Sequence, residues 1–127
     1  MANPAQIYQQ VQVKTANPGE LTLMLYNGGI RFSKEAILFI EKKEMDKAHA
    51  SILRVQEIIN ELDASLDRSI TLSEQFILMY DYMRRRTIEA NIKKDSEIIK
   101  EVEGYFVEFR DTWKEVMRLS KHQPEGQ

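Results

Sequence analysis

Apolar residues recur at intervals of three and four along almost the whole of this 127-residue chain, which is the spacing of one face of an α-helix. Helix-breaking residues are few, since the chain has only five glycines and three prolines. A β-sandwich or barrel needs more turns than so few of these residues provide. The sequence therefore predicts an all-α fold, and its length suits one domain with a sizeable core.

Helix-start signals divide the chain into a short N-terminal arm and four long helices. Asn17, Pro18 and Glu20 form a capping box, a second box pairs Thr71 with Glu74, and Asp95 caps the last helix. The predicted long helices span about 17–43, 45–66, 71–93 and 95–119. Short connections favour an antiparallel up-down four-helix bundle, with a short N-terminal helical arm at 1–16 and a disordered tail at 120–127.

Three of the long helices have a clear stripe that predicts the core. The stripe of the second begins at Met45, that of the third begins at Leu72 and includes Tyr80 and Met83, and that of the fourth ends at Val116. The pair Gly28-Gly29 interrupts the first long helix. It indicates either close packing against a neighbour or a simple kink.

The first and third long helices carry more apolar residues than one buried face needs. At 100° per residue, two apolar stripes lie on opposite sides of the first helix, and extra isoleucines lie opposite the core stripe of the third. These surplus residues are Leu23, Tyr26, Ile30 and Ile37 in the first helix and Ile77, Ile88 and Ile92 in the third. Two interpretations are open: adaptation of the core, including docking of the arm, or a groove for an amphipathic partner helix.

Catalysis is not indicated, because no nucleophile motif, phosphate-binding loop or dinucleotide motif is present. Asp46 and His49 have the spacing of one half of a di-iron site, but no second such motif exists and a solvated pair is expected. Arg84-Arg85-Arg86 fan around a helix, so salt bridges are expected there, with Arg86 nearest the core. No metal and no cofactor are predicted.

The charge and hydropathy patterns exclude several further classes. A net charge of −2 argues against a dedicated nucleic-acid binder. No cysteine is present, no secretion signal opens the chain, and no apolar run is long enough to insert into a membrane. A cytoplasmic location is therefore expected.

Several segments, read in order, resemble the flagellar secretion chaperones of the FliS family. They are TANPGELTLMLYNGGIRF (15–32), QEIINELDASLD (56–67), YDYMRRRTIEAN (80–91) and EVEGYFVEFRDTWKEV (101–116). The similarity covers about residues 8–116. Two segments depart from it: Asn27-Gly28-Gly29 replaces a common Asp-Gly-Ala, and the connection before YDYM is short and lacks glycine.

The resemblance implies a cytoplasmic, non-enzymatic chaperone that binds the disordered C-terminal region of flagellin and prevents its premature polymerisation. It also implies delivery to the cytoplasmic domain of the export gate, FlhA, and a link to the flagellin regulator FliW through a shared flagellin complex. The N-terminal arm would lie near the client groove, which adds Ile7, Tyr8 and Val11 to the predicted contact residues. The alternative is a helical structural or adaptor module that self-associates or scaffolds without a disordered client.

Overall fold

The computed structural model describes residues 18–121, which form four helices and no strand. Helix α1 spans Pro18–Glu41, α2 spans Met45–Ala64, α3 spans Ser73–Lys93 and α4 spans Ser96–Lys121. The connections are residues 42–44, 65–72 and 94–95. The predicted all-α class is therefore confirmed. The arm at 1–16 lies outside the described residues, as does the tail from residue 122 onward.

The helices close into a ring of four. Helix α1 packs against α2 and α4, and α3 completes the ring by packing against the same two helices. Within residues 18–121, α1 and α3 occupy opposite corners, so their backbones do not approach closely and only side chains meet across the core, as the Tyr26 and Tyr80 hydroxyls do at 3.2 Å. This square arrangement is the antiparallel bundle that the short connections predict.

The core divides into two clusters along the bundle axis. Tyr80, Met83 and Phe106 belong to the larger cluster, and Ala36 and Ile52 belong to the smaller one. The predicted burial of Tyr80 and Met83 is confirmed, since their exposed fractions are 2% and 0%.

Three residues at stripe ends were wrongly predicted to be buried. Met45, Leu72 and Val116 are exposed. Met45 is the first residue of α2, and Leu72 precedes α3. The indole Nε1 of Trp113 donates to the Gly19 carbonyl at 2.7 Å, so α4 is level with the start of α1 there. Val116 lies past that level, on about two turns of α4 that extend beyond the start of α1.

Of the three predicted caps, one is present, one is absent, and the first rests on Asn17, which lies outside the described residues. The Asp95 carboxylate accepts the Glu97 N–H at 2.9 Å, as expected for a helix start. The box of Thr71 with Glu74 is wrong, because α3 begins at Ser73 and its cap residue makes no side-chain cap bond. Backbone turns, including the bond from the Glu74 N–H to the Thr71 carbonyl, already satisfy the donors at this end.

Gly29 allows α1 and α4 to approach closely. A Cβ atom at this position would lie 2.6 Å from the Phe106 ring, whereas a Cβ at Gly104 would meet no atom within 4 Å. Of the two interpretations of the glycine pair, close packing is therefore the correct one for Gly29.

The two glycines make a matched pair of substitutions. Gly29→Ala should destabilise the bundle by about 1–3 kcal/mol, because the ring of Phe106 has to shift. Gly104→Ala should stabilise it by about 0.5–1 kcal/mol, because alanine favours the helix and meets nothing. Urea unfolding curves measure both values, and the same sign for both substitutions would contradict the packing at Gly29.

Candidate functional site

The second stripe of α1 is mostly part of the core. Tyr26 and Ile30 are 4% and 7% exposed and belong to the larger core cluster, while Leu23 and Ile37 are half-buried. Of the two interpretations of this stripe, an outward-facing groove is wrong for Tyr26 and Ile30, and adaptation of the core is correct for them. The physical reason is the ring of helices: α1 has a neighbour on each side, so one stripe faces α2 and the other faces α4.

The Tyr26 ring shows this directly, because it stacks on Phe109 of α4 with centroids 5.6 Å apart. On the other side of α1, Gly28 adjoins Ile58 of α2. Because α1 and α3 lie at opposite corners, their outer faces point to opposite sides of the bundle and share no groove. Of the remaining predicted contact residues, Ile7, Tyr8 and Val11 lie outside the described residues.

The isoleucines of α3 do lie at the surface. Ile88 is 43% exposed and Ile92 is 79% exposed, while Ile77 is half-buried. The neighbouring helix α2 also carries exposed apolar residues, which the sequence pattern did not assign to a site. Leu53 and Met45 are each 40% exposed.

Two hydrogen bonds fix the register of α2 against α3. The Asn91 amide donates to His49 Nδ1 at 2.9 Å, and the Arg84 guanidinium donates to the Asn60 side chain at 2.9 Å. On α2, Leu53 lies between His49 and Asn60 in the sequence. On α3, Ile88 lies between Arg84 and Asn91, so it falls within the same stretch of the bundle as Leu53. We name the exposed set of Met45, Leu53, Ile88 and Ile92 the α2–α3 patch.

A second apolar feature lies at the end of the bundle where α1 begins. It is a pocket of about 270 Å³ between the starts of α1 and α3, the end of α2 and the connection 65–72. Leu62, Phe76 and Trp113 supply apolar walls. The Tyr26 and Tyr80 hydroxyls also line it and lie 3.2 Å apart, and burial raises the pKa of both.

Polar contacts join α3 to α4 along the outside of the bundle. The Glu101 carboxylate accepts hydrogen bonds from Tyr82 at 2.6 Å, from Arg86 at 2.8 Å and from Tyr105 at 3.1 Å. Arg84 pairs with Asp63 of α2 and with Asp81. Arg84 and Arg86 of the triplet therefore form salt bridges as predicted, with Arg86 paired to a half-buried acid, while Arg85 lies over the Tyr82 ring. These links hold α3 in place rather than forming a reactive site.

The hydrogen bond from Tyr82, with those from Arg86 and Tyr105, holds the pKa of Glu101 below its ordinary value. A carboxyl whose pKa falls on folding adds stability above its unfolded pKa of about 4.3, and this stability is lost as the pH falls through the folded pKa. Glu101→Gln should therefore cost about 1–2 kcal/mol at pH 7, and less as the pH falls below about 4. Chemical unfolding at pH 3.5 and pH 7 tests this. Glu108→Gln, at an exposed position of the same helix, is the control, and an equal pH effect of both variants would contradict the role of Glu101.

The described residues offer little for metal chemistry or for membrane insertion. Asp46 and His49 are exposed, and no three histidine, cysteine or acidic side chains of residues 18–121 are grouped to hold a metal ion. None of the four helices combines the length and the apolar character required to cross a membrane.

A closed helical bundle with an exposed apolar patch is the form of a binding protein. The family model of the flagellar protein FliS matches residues 1–120. The flagellar secretion chaperone FliS of Bacillus subtilis is 46% identical over 98% of this chain and 93% of the relative. The FliS chaperone of Salmonella typhimurium is 34% identical over 88% of this chain and 85% of the relative.

A solved structure, described as a flagellar chaperone from bacteria, shares the fold. Its TM-score is 0.75 at 16% identity, over 91% of this chain and 98% of the solved one. The chain belongs to the FliS family of flagellar secretion chaperones. The family assigned from the sequence segments is thus confirmed.

Proposed function

We propose that this protein is a cytoplasmic, non-enzymatic export chaperone whose client is the disordered C-terminal region of flagellin. By covering that region it prevents premature polymerisation, and it delivers flagellin to FlhA, the export gate. Its link to FliW runs through flagellin bound to both. Membership of the FliS family supports the class of function, and the α2–α3 patch supports the mode of binding.

The observation that carries the proposal is the exposure of the α2–α3 patch. Apolar side chains of two neighbouring helices border one seam, and Ile92 is 79% exposed. Such a seam suits the apolar side of an amphipathic helix, whose anchors recur every three or four residues.

A titration with a synthetic peptide of the flagellin C-terminal region tests the proposal. We expect saturable binding, with a gain of helical circular dichroism as the peptide orders on the bundle. A peptide of the same composition in scrambled order is the control. If neither peptide binds and the protein self-associates in sizing experiments, the adaptor module is the better description.

We further propose that the arm covers apolar surface in the free protein, with Ile7, Tyr8 and Val11 as its contact residues. The chain enters α1 at Pro18, and the adjoining Gly19 is bonded to Trp113, which lines the end pocket. The pocket thus lies beside the start of α1, the helix to which the arm is joined. A tethered segment has a high effective concentration at such a nearby surface, so even weak contacts suffice to keep the arm bound to the pocket.

Deletion of residues 1–13 should expose that apolar surface and change three properties. Self-association should increase, because an uncovered apolar surface promotes it. Affinity for the flagellin peptide should stay the same if the client binds the α2–α3 patch alone, and should rise if the client also enters the end pocket and no longer has to displace the arm. We also propose that Ile7 and Tyr8 become available to the export gate when flagellin displaces the arm, so binding to the cytoplasmic domain of FlhA should be lost on deletion. Loss of flagellin binding with an intact bundle would show instead that the arm is part of the client site.

A further inference from the structure

Helix α3 is held by less apolar packing than its neighbours. It buries two bulky apolar side chains, Tyr80 and Met83, and its other buried positions are Ser73, Thr87 and Ala90. Helix α2, of similar length, buries Ile52, Val55, Ile58, Ile59 and Leu62. Burial of apolar surface is the main favourable term in folding. Apolar packing therefore stabilises the position of α3 less than it stabilises that of α2.

The contacts of α3 with α2 and with α4 consist largely of side-chain hydrogen bonds and ion pairs at or near the surface. On the α2 side these are the pairs of Arg84 with Asp63 and of Asn91 with His49. On the α4 side Glu101 receives the links from α3. Partly exposed ion pairs contribute little net stability, and water replaces them readily when a seam opens.

The start of α3 is flanked by space on both sides. Beside the end pocket of about 270 Å³, a second cavity of about 200 Å³ lies between α3 and α4, and Phe76 lines both. Both spaces are open to solvent, so Phe76 lacks protein neighbours on those two sides and makes fewer dispersion contacts than a fully buried side chain. Phe76 therefore separates two spaces where close packing would otherwise hold the helix.

The two connections of α3 differ in a way that suits a hinge. At its end, Lys94 has a φ of 51°, and the next residue, Asp95, donates its N–H to the Ala90 carbonyl in a tight turn. At its start, the connection 65–72 has eight residues and carries the exposed side chains of Ile70 and Leu72. A fixed turn at one end and a longer connection at the other allow the helix to swing as a unit.

We propose that α3 is a gate, which opens as a unit about the turn at Lys94 while α1, α2 and α4 stay packed. Opening uncovers the apolar faces of α2 and α4 that α3 covers, and enlarges the surface open to an amphipathic helix. This last consequence rests on the proposed function. The opening itself is a property of the free protein and is tested without any client, so the two proposals can fail separately.

Native-state amide hydrogen exchange of the whole chain at low denaturant is the direct test. Amides of residues 80–87 in α3 should exchange at least tenfold faster than the slowest amides of α1, α2 and α4. Their exchange should also depend less on denaturant, since a partial opening exposes less surface than global unfolding. If the slowest amides of all four helices exchange at one common rate, α3 opens only with the whole bundle and the gate does not exist.

The absence of cysteine from the chain allows a second measurement with single thiols. Met83→Cys places a thiol under α3, and Ala36→Cys is the matched control on α1, since both positions are 0% exposed. Each labelling rate is corrected for the stability of its variant. The Met83→Cys thiol should then be labelled at least tenfold faster than the Ala36→Cys thiol. Equal corrected rates would overturn the proposal.

Discussion

Tyr80→Ala should lower the free energy of unfolding by about 3–5 kcal/mol, the cost expected for removal of a buried aromatic side chain. Tyr80 is 2% exposed, its ring lies within 6.2 Å of the Phe76 and Phe109 ring centroids, and its hydroxyl adjoins that of Tyr26. For a domain of this size the loss corresponds to a fall in Tm of about 10–20 °C. Thermal unfolding followed by circular dichroism measures it.

Two companion variants separate packing from hydrogen bonding in the Tyr80→Ala experiment. Tyr80→Phe keeps the ring and removes one hydroxyl, so it should cost only about 1 kcal/mol. Tyr82→Ala, two residues along the same motif, removes a half-buried ring that bonds to Glu101 and should cost about 1–2 kcal/mol. An unchanged Tm in Tyr80→Ala, together with loss of flagellin binding, would make Tyr80 a client contact instead of a core residue.

The periodicity of the sequence was sufficient to predict the helices and most of the core. The observed α2 lies within two residues of its predicted bounds, and Tyr80 and Met83 face inward as their stripe requires. These features depend on local spacing and on burial of one face, both of which a single helix records. Predictions at helix ends were poorer, because Met45, Leu72 and Val116 continue a stripe past the point where neighbours cover it.

The assignment of faces could not be predicted from one helix at a time. Two stripes on α1 are compatible with either an exposed groove or two neighbours, and only the closed ring shows that Tyr26 and Ile30 face α4 and the core. The α2 part of the α2–α3 patch was missed for the same reason, although its α3 part, Ile88 and Ile92, was among the predicted contact residues. In the sequence Leu53 is an isolated apolar residue of α2. Only the register set by the hydrogen bonds of His49 and Arg84 shows that it lies at the same height in the bundle as Ile88.

Close contact between helices was likewise only partly visible in the sequence. The glycine pair signalled either a kink or a close approach, and the sequence does not say which residue would approach. Phe106, 77 positions later in the chain, supplies the atoms that a Cβ at Gly29 would meet at 2.6 Å. Such a pairing depends on the three-dimensional register of α1 and α4, which no short segment encodes.

Ile92→Asp should weaken binding of the flagellin C-terminal peptide about a hundredfold and leave the Tm nearly unchanged. Ile92 is 79% exposed, so the fold tolerates a carboxylate there. In the complex the same carboxylate would be buried against an apolar surface without a partner, which costs several kcal/mol. The proposed function depends most on the assignment of the α2–α3 patch as the client site.

Isothermal titration of the flagellin C-terminal peptide into wild type, Ile92→Asp and Leu38→Asp tests that assignment most directly. Leu38 lies on α1, at the opposite corner of the bundle from α3, and is 46% exposed, so it is the matched control. If the α2–α3 patch is the client site, the Kd should be about a hundredfold higher for Ile92→Asp and unchanged for Leu38→Asp. A folded Ile92→Asp protein that binds the peptide as tightly as wild type would contradict the α2–α3 patch as the client site.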